Sequence, residues 1–187
     1  MWRISLIISL MLYASTVFAV QICKTDSITA TTPTSRYTLN GDGTVTDKET
    51  GLMWKQCLEG LSGSDCETGN ASAHTWQSAL QIPEILNAGA GFAGYIDWRL
   101  ANIMELQSIV EVQCYDPAIN LSVFPNAQTS YVWSSSPAVF SQLTDAWDVN
   151  FYGGSFNGKY RSADGNSSTN YLPSSERQRV RLVRGGQ

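Results

Sequence analysis

Asn40-Gly41-Asp42-Gly43, followed by Asp47 and Glu49, puts oxygen donors at short spacings around two glycines, which is the raw material of a calcium loop. On the twelve-residue calcium-loop pattern Glu49 falls at the last ligand position, but Thr38 stands at the first, where the pattern needs Asp. The flanking residues are strand-like rather than helical. The segment is therefore expected to be a metal-free hairpin turn, and no metal site or cofactor is assigned to the chain.

The four cysteines, Cys23, Cys57, Cys66 and Cys114, include no C-x-x-C pair, and His74 is the sole histidine. Zinc ligation is thus poorly supported, and two disulfides are expected in an oxidising compartment. Cys57 and Cys66 enclose "LEGLSGSD", a polar, turn-forming segment that brings its own ends together. Cys23 then pairs with Cys114. Catalysis finds little support: one histidine without a G-x-S-x-G elbow supplies no recognisable base–nucleophile pair. Asp97, Glu105, Asp145 and Asp148 could meet as glycosidase carboxylates, but their spacing gives no reason to expect it. Arg177, Arg179 and Arg181 alternate near the C-terminus and could clamp an anion from one strand face. Pairing with surface acids such as Glu176 is the structural alternative and is preferred here.

The elements that must position these groups follow from periodicity. Residues 27–35, "SITATTPTS", have no apolar period and read as a linker or extended lead-in. Tyr37 and Leu39, then Val45, then Leu52-Met53-Trp54 mark three short strands joined by turns at Gly41–Gly43 and Lys48-Glu49-Thr50-Gly51. A helix begins after Thr75, with Trp76 and Leu80 near one face, and Pro83 is expected to bend it or end its first part. Asn102 and Glu105 form a capping-box signature for a second helix with Leu106, Ile109 and Val110 as its stripe, ending at Gln113 and Cys114.

The later chain is β-like. Tyr131-Val132-Trp133 leads into a polar strand end at Ser134-Ser135-Ser136-Pro137, and Trp147, Val149 and Phe151 alternate with Asp148, Asn150 and Tyr152. Residues 156–161 read as the return strand and 177–184 as the last one. Trp54, Trp76, Trp98 and Trp133 read as core, and Asp97-Trp98-Arg99 as the seat of a structural ion pair. The class is α+β, with a mainly antiparallel sheet, two helices and long loops.

Residues 1–19 combine an early Arg3, an apolar run and small side chains before Val20, the pattern of a cleaved secretory leader. The run is shorter than the ~20 residues of a membrane span, so no span is expected after cleavage. What remains is one domain's worth of chain, divided into a lead-in at 20–35 and a folded domain at 36–187. The formal net charge of −4 becomes more negative without Arg3 and argues against nucleic acid as a partner.

"NGDGTVTDKETGLMW", "TWQSAL", "AGYIDWRLANIMELQSIV", "VWSSSP", "AWDVNF" and "VRLVRGG", in that order, resemble the Lcl C-terminal domain family, named after a bacterial collagen-like adhesin. The resemblance implies a C-type-lectin-like fold in exported bacterial proteins and, from the name-giving adhesin, binding of sulfated polysaccharide. Ala101 departs from the proline common in the family at that place, and the collagen-like repeat is absent from this sequence.

The resulting expectation is an exported, non-enzymatic binding module, secreted, periplasmic or on the bacterial cell surface. Its partner would be an extracellular polysaccharide, sulfated or not, or a surface protein. The candidate contacts are Asp148, Asn150, Tyr152, Lys159 and Arg161, the first three because alternation turns them away from Trp147, Val149 and Phe151. The alternative is a structural subunit of an exported complex, which would use the same surface to form a homo-oligomer. An uncharacterised hydrolase ranks last.

Overall fold

The computed structural model describes residues 20–138, 145–157 and 177–185. The expected leader, Lys159, Arg161 and Glu176 lie outside the described residues. In chain order, β1 (Ile22–Cys23) precedes the meander of β2 (Tyr37–Leu39), β3 (Thr44–Asp47) and β4 (Met53–Lys55). A loop carrying β5 (Leu61–Ser62) and β6 (Thr68–Gly69) leads to α1 (Trp76–Ala88), β7 (Arg99–Leu100) and α2 (Ile103–Ser108). Then come β8 (Cys114–Tyr115), β9 (Tyr131–Ala138), β10 (Asp145–Asn150), β11 (Ser155–Asn157) and β12 (Leu182–Arg184). The architecture is α+β with antiparallel ladders and long loops.

The main sheet has the order β2-β3-β4-β12-β7, so the closing strand lies between two earlier ones. Val183 faces Trp54 on one side and Arg99 on the other. A strand in that position is paired along both edges, and Leu182 and Val183, which point to opposite faces, are both fully buried. Their side chains join different cores. Val183 packs with Val45, Trp54, Leu106 and Phe124, whereas Leu182 packs with Trp98, Leu100, Trp133 and Ala79 of α1. A second sheet, β11-β10-β9, completes the domain. Trp54, Trp98 and Trp133 are buried core residues as expected, and Trp76 donates its indole N–H to Ser134 O at 2.7 Å.

Of the two outcomes expected at Pro83, a bend or an end, the end does not occur: α1 runs through Pro83 to Ala88. Although an interior proline costs a helix about 3 kcal/mol, this helix is held at both ends. Thr75 caps its start through Ser78 N, and near its end Asn87 grips the Trp98 backbone, donating to O at 2.7 Å and accepting from N at 3.1 Å. Pro83 itself is buried. For α2 the capping box forms as expected, with Asn102 Oδ1 accepting from Glu105 N and Glu105 Oε2 accepting from Asn102 N. The helix stops at Ser108, however, well before Gln113. Ser108 Oγ donates back to Glu105 O, and Val110 leaves the helix to bridge Ile119.

The lead-in is no free linker. Both expected disulfides are present, and Cys23–Cys114 joins β1 to β8, which also pair as strands. Gln21 Nε2 donates to Pro117 O and Ile119 O. Buried Glu111 accepts the backbone N–H and the hydroxyl of both Thr31 and Thr32, and Gln113 N as well. Residues 20–35 are thereby stitched onto the domain.

Besides exposed Asp97, which its bond to Arg184 lowers, three less exposed carboxylates are held below their ordinary pKa. Burial alone would raise each, but for Asp47 the Arg36 guanidinium, the Thr50 hydroxyl and Glu49 N–H outweigh it. For Glu105 the Arg99 fork and Asn102 N–H do so, and for Glu111 the donors from Thr31, Thr32 and Gln113. With folded pKa values lowered, the unfolded chain takes up protons first as the pH drops. The stability these groups contribute is complete above about pH 4.5 and is lost as the pH falls through the folded values. His74, lowered chiefly by burial, has the same sign and adds a decline beginning below about pH 6.5. Thermal unfolding is thus expected to show a shallow fall of the midpoint below pH ~6.5 and a steep one below pH ~4. A midpoint level down to pH ~3 would contradict these assignments.

Candidate functional site

The expected contact residues do not share one environment. Asp148 is fully buried and accepts a 2.7 Å bond from Gln178 Nε2, which removes it from any solvent-facing site. The cause lies far away in sequence. Residues 178–179 return along β9, where Trp133 N donates to Arg179 O and Arg179 N to Tyr131 O. That returning segment covers the side to which alternation turns Asp148. Further along, Asn150 is half-buried, and its Oδ1 accepts from Tyr152 N at 2.9 Å. Tyr152 is 52% exposed.

Tyr152 has a neighbour that alternation could not name. Tyr115, 37% exposed, stands edge-on to it with ring centroids 6.4 Å apart. Tyr115 lies on β8 beside the Cys23–Cys114 bridge, opposite Ile22 of β1. The two tyrosine segments are tied together by Asp116 N donating to Tyr152 O and Ala118 N donating to Phe151 O. Two exposed aromatic rings are thus fixed next to half-buried Asn150. The one sequence signal for Tyr115 was its adjacency to a cysteine expected to be bonded.

The turn that resembles a calcium loop is the β2–β3 hairpin, with Gly41 and Gly43 at φ 80° and 83°. Asp42 Oδ1 is taken by Thr44 N and Thr44 Oγ1, and the Asn40 amide donates to the hydroxyls of Thr44 and Thr46. These bonds satisfy the turn internally. Among the described residues no group of three or more His, Cys, Asp or Glu side chains is placed to hold a metal. Calcium and a chelator are expected to give the same thermal midpoint, and a rise of several degrees with calcium would contradict this.

The arginines do not form one anion-binding face. Arg181 is fully buried, donates to Lys55 O and Gln56 O, and stacks over Phe124 at 4.7 Å. Arg179 donates to Ala71 O, and Arg177 is exposed. The structural role preferred for this group holds for Arg179 and Arg181 through backbone carbonyls, and Glu176, the acid expected as a partner, lies outside the described residues. Asp97 and Arg99 do form ion pairs, but not with each other: Asp97 binds Arg184, and Arg99 forks onto Glu105. His74 lies 2.7 Å from Ser72 Oγ. That hydroxyl also lies 3.0 Å from Glu59 O, which can accept its proton.

A disulfide-bonded α+β domain with its N-terminal segment stitched down is the class the geometry defines. Residues 43–184 match the family model of the Lcl C-terminal domain, and the chain belongs to that family. Comparisons with curated proteins and with solved structures gave no match. The family places the chain among adhesin-type extracellular domains, which fits its two disulfides. No helix among the described residues is long and apolar enough to cross a membrane.

Proposed function

We propose that this domain is an exported, non-enzymatic binding module that recognises an extracellular polysaccharide at the face of Asn150, Tyr152 and Tyr115. Lys159 and Arg161, also expected as contacts, lie outside the described residues. The observation that carries this reading is the exposed tyrosine pair, held by backbone bonds on both sides and backed by a disulfide strand. A tyrosine offers an apolar ring to the flat face of a sugar and a hydroxyl to its edge. Rings already fixed lose little conformational freedom on binding.

If the polysaccharide is sulfated, Lys159 and Arg161 provide the charge, and affinity falls steeply with salt because exposed pairs are screened beyond ~8 Å at physiological ionic strength. Heparin and fucoidan columns at two salt concentrations test this. Retention at low salt, weakened by Lys159→Ala with Arg161→Ala at an unchanged melting temperature, is the expected result. No retention at low salt would rule out sulfated ligands. A second reading, a subunit of an exported assembly, draws on Ile22, which is 45% exposed and extends the apolar strip beside Tyr115. A solution mass above that of the monomer would favour it.

A further inference from the structure

A cleft of about 350 Å³ opens between the β2–β3 turn, the end of β4, the disulfide-closed loop and Phe92. Phe92, Leu61 and Cys57 supply apolar surface, and Asp42, Gln56, Ser62 and Ser64 line it with polar groups. Its walls are fixed. Gln56 N donates to Gly43 O at 3.0 Å, the Gln56 amide nitrogen is held by Val123 O, and Cys57–Cys66 closes the loop. Gly43 is needed where the turn meets the aromatic ring, because a β-carbon there would stand 3.0 Å from Phe92 Cζ at a backbone φ of +83°.

Charge selects among ligands of this size. The cation in the cleft is Lys55, whose Nζ lies 4.5 Å from the Phe92 ring centroid. It is neutralised by Glu59 at 2.6 Å. Among the described residues Asp42 is left as the uncompensated charge on the lining, so sulfate, phosphate or carboxylate groups are repelled. The polar groups that remain are hydroxyls and a carboxamide oxygen, which together donate and accept around an apolar surface. The volume is at the lower end of small-molecule sites, about 300–1,000 Å³.

We infer that this cleft seats a single neutral pyranose unit. Its ring would lie against Leu61 and Phe92, and its hydroxyls would bond Asp42, Gln56, Ser62 and Ser64. The site is separate from the tyrosine face and does not rest on it. With few contacts, affinity is in the millimolar range typical of one sugar residue.

The test is a ¹H–¹⁵N titration of the disulfide-bonded domain with methyl glycosides of glucose, galactose and mannose to about 50 mM, well above a millimolar Kd. Saturable shifts of the Gln56, Ser62, Gly63 and Ser64 amides with at least one glycoside are expected. They should vanish in Ser64→Trp, an exposed loop position where the indole fills the cleft at an unchanged melting temperature. They should persist in Tyr152→Ala, which separates this site from the tyrosine face. Three outcomes would overturn the inference: no saturable shift at those amides with any of the glycosides, shifts that survive Ser64→Trp, or stronger binding of glucose 6-sulfate than of the neutral glycosides.

Discussion

Arg181→Ala is expected to lower the unfolding free energy by about 3–5 kcal/mol, a loss comparable with truncating a large buried side chain. Arg181 lies wholly inside the domain, and burial pushes its guanidinium down to about 9. It holds the end of β4 through Lys55 O and Gln56 O, and its plane covers Phe124. Alanine removes the packing and leaves two buried carbonyls without a donor. Arg181→Met keeps an unbranched stem over Phe124 and removes a buried charge, so it is expected to cost only about 1–2 kcal/mol. Urea unfolding of the two variants measures the difference. Equal losses would show that packing over Phe124 contributes nothing beyond the carbonyl bonds.

Removing the longer disulfide has an effect of similar size. Cys23 and Cys114 are 91 residues apart, and on the chain-entropy model closing a loop of that length stabilises the fold by ~4.6 kcal/mol. Cys23→Ser with Cys114→Ser should lower the melting temperature by about 10–15 °C for a domain of this size. Cys57 and Cys66, only 9 apart, should contribute less, ~2.7 kcal/mol. The longer bridge also has a local consequence, because the N-terminal segment it anchors carries Thr31 and Thr32 onto Glu111. Amide exchange at these two threonines should speed up in the Cys23/Cys114 variant and stay slow in the Cys57/Cys66 variant. Unchanged exchange in both would mean that the hydrogen bonds of the segment hold it without the bridge.

What could be read in the sequence was what local chemistry decides. The Gly41–Gly43 hairpin, the Asn102–Glu105 capping box and the short disulfide each depend on residues close together in the chain, and each is present in the structure. The long disulfide followed from pairing what remained. Pro83 left open whether α1 continues, because helix propensity is local, whereas the grip of Asn87 on Trp98 comes from tertiary packing. Asp148 misled for a related reason. Alternation states that Asp148 and Val149 point to opposite sides, but not that residues 178–179 cover the Asp148 side. The same remote strand placement buries Arg181, which its sequence neighbours would leave on an open face. Tyr115 entered the candidate site only once β1, β8 and the segment after β10 were seen to converge.

The central claim is that the tyrosine face binds a polysaccharide, and a glycan array probed with the disulfide-bonded domain and its Tyr115→Ala, Tyr152→Ala and double variants tests it most directly. The account predicts that the parent domain binds a defined subset of glycans. Each single variant should bind roughly tenfold more weakly, the double variant should lose binding, and all four proteins should melt at the same temperature. Glycan binding that is undiminished in the double variant would contradict the claim, and so would a parent domain that binds no glycan on the array.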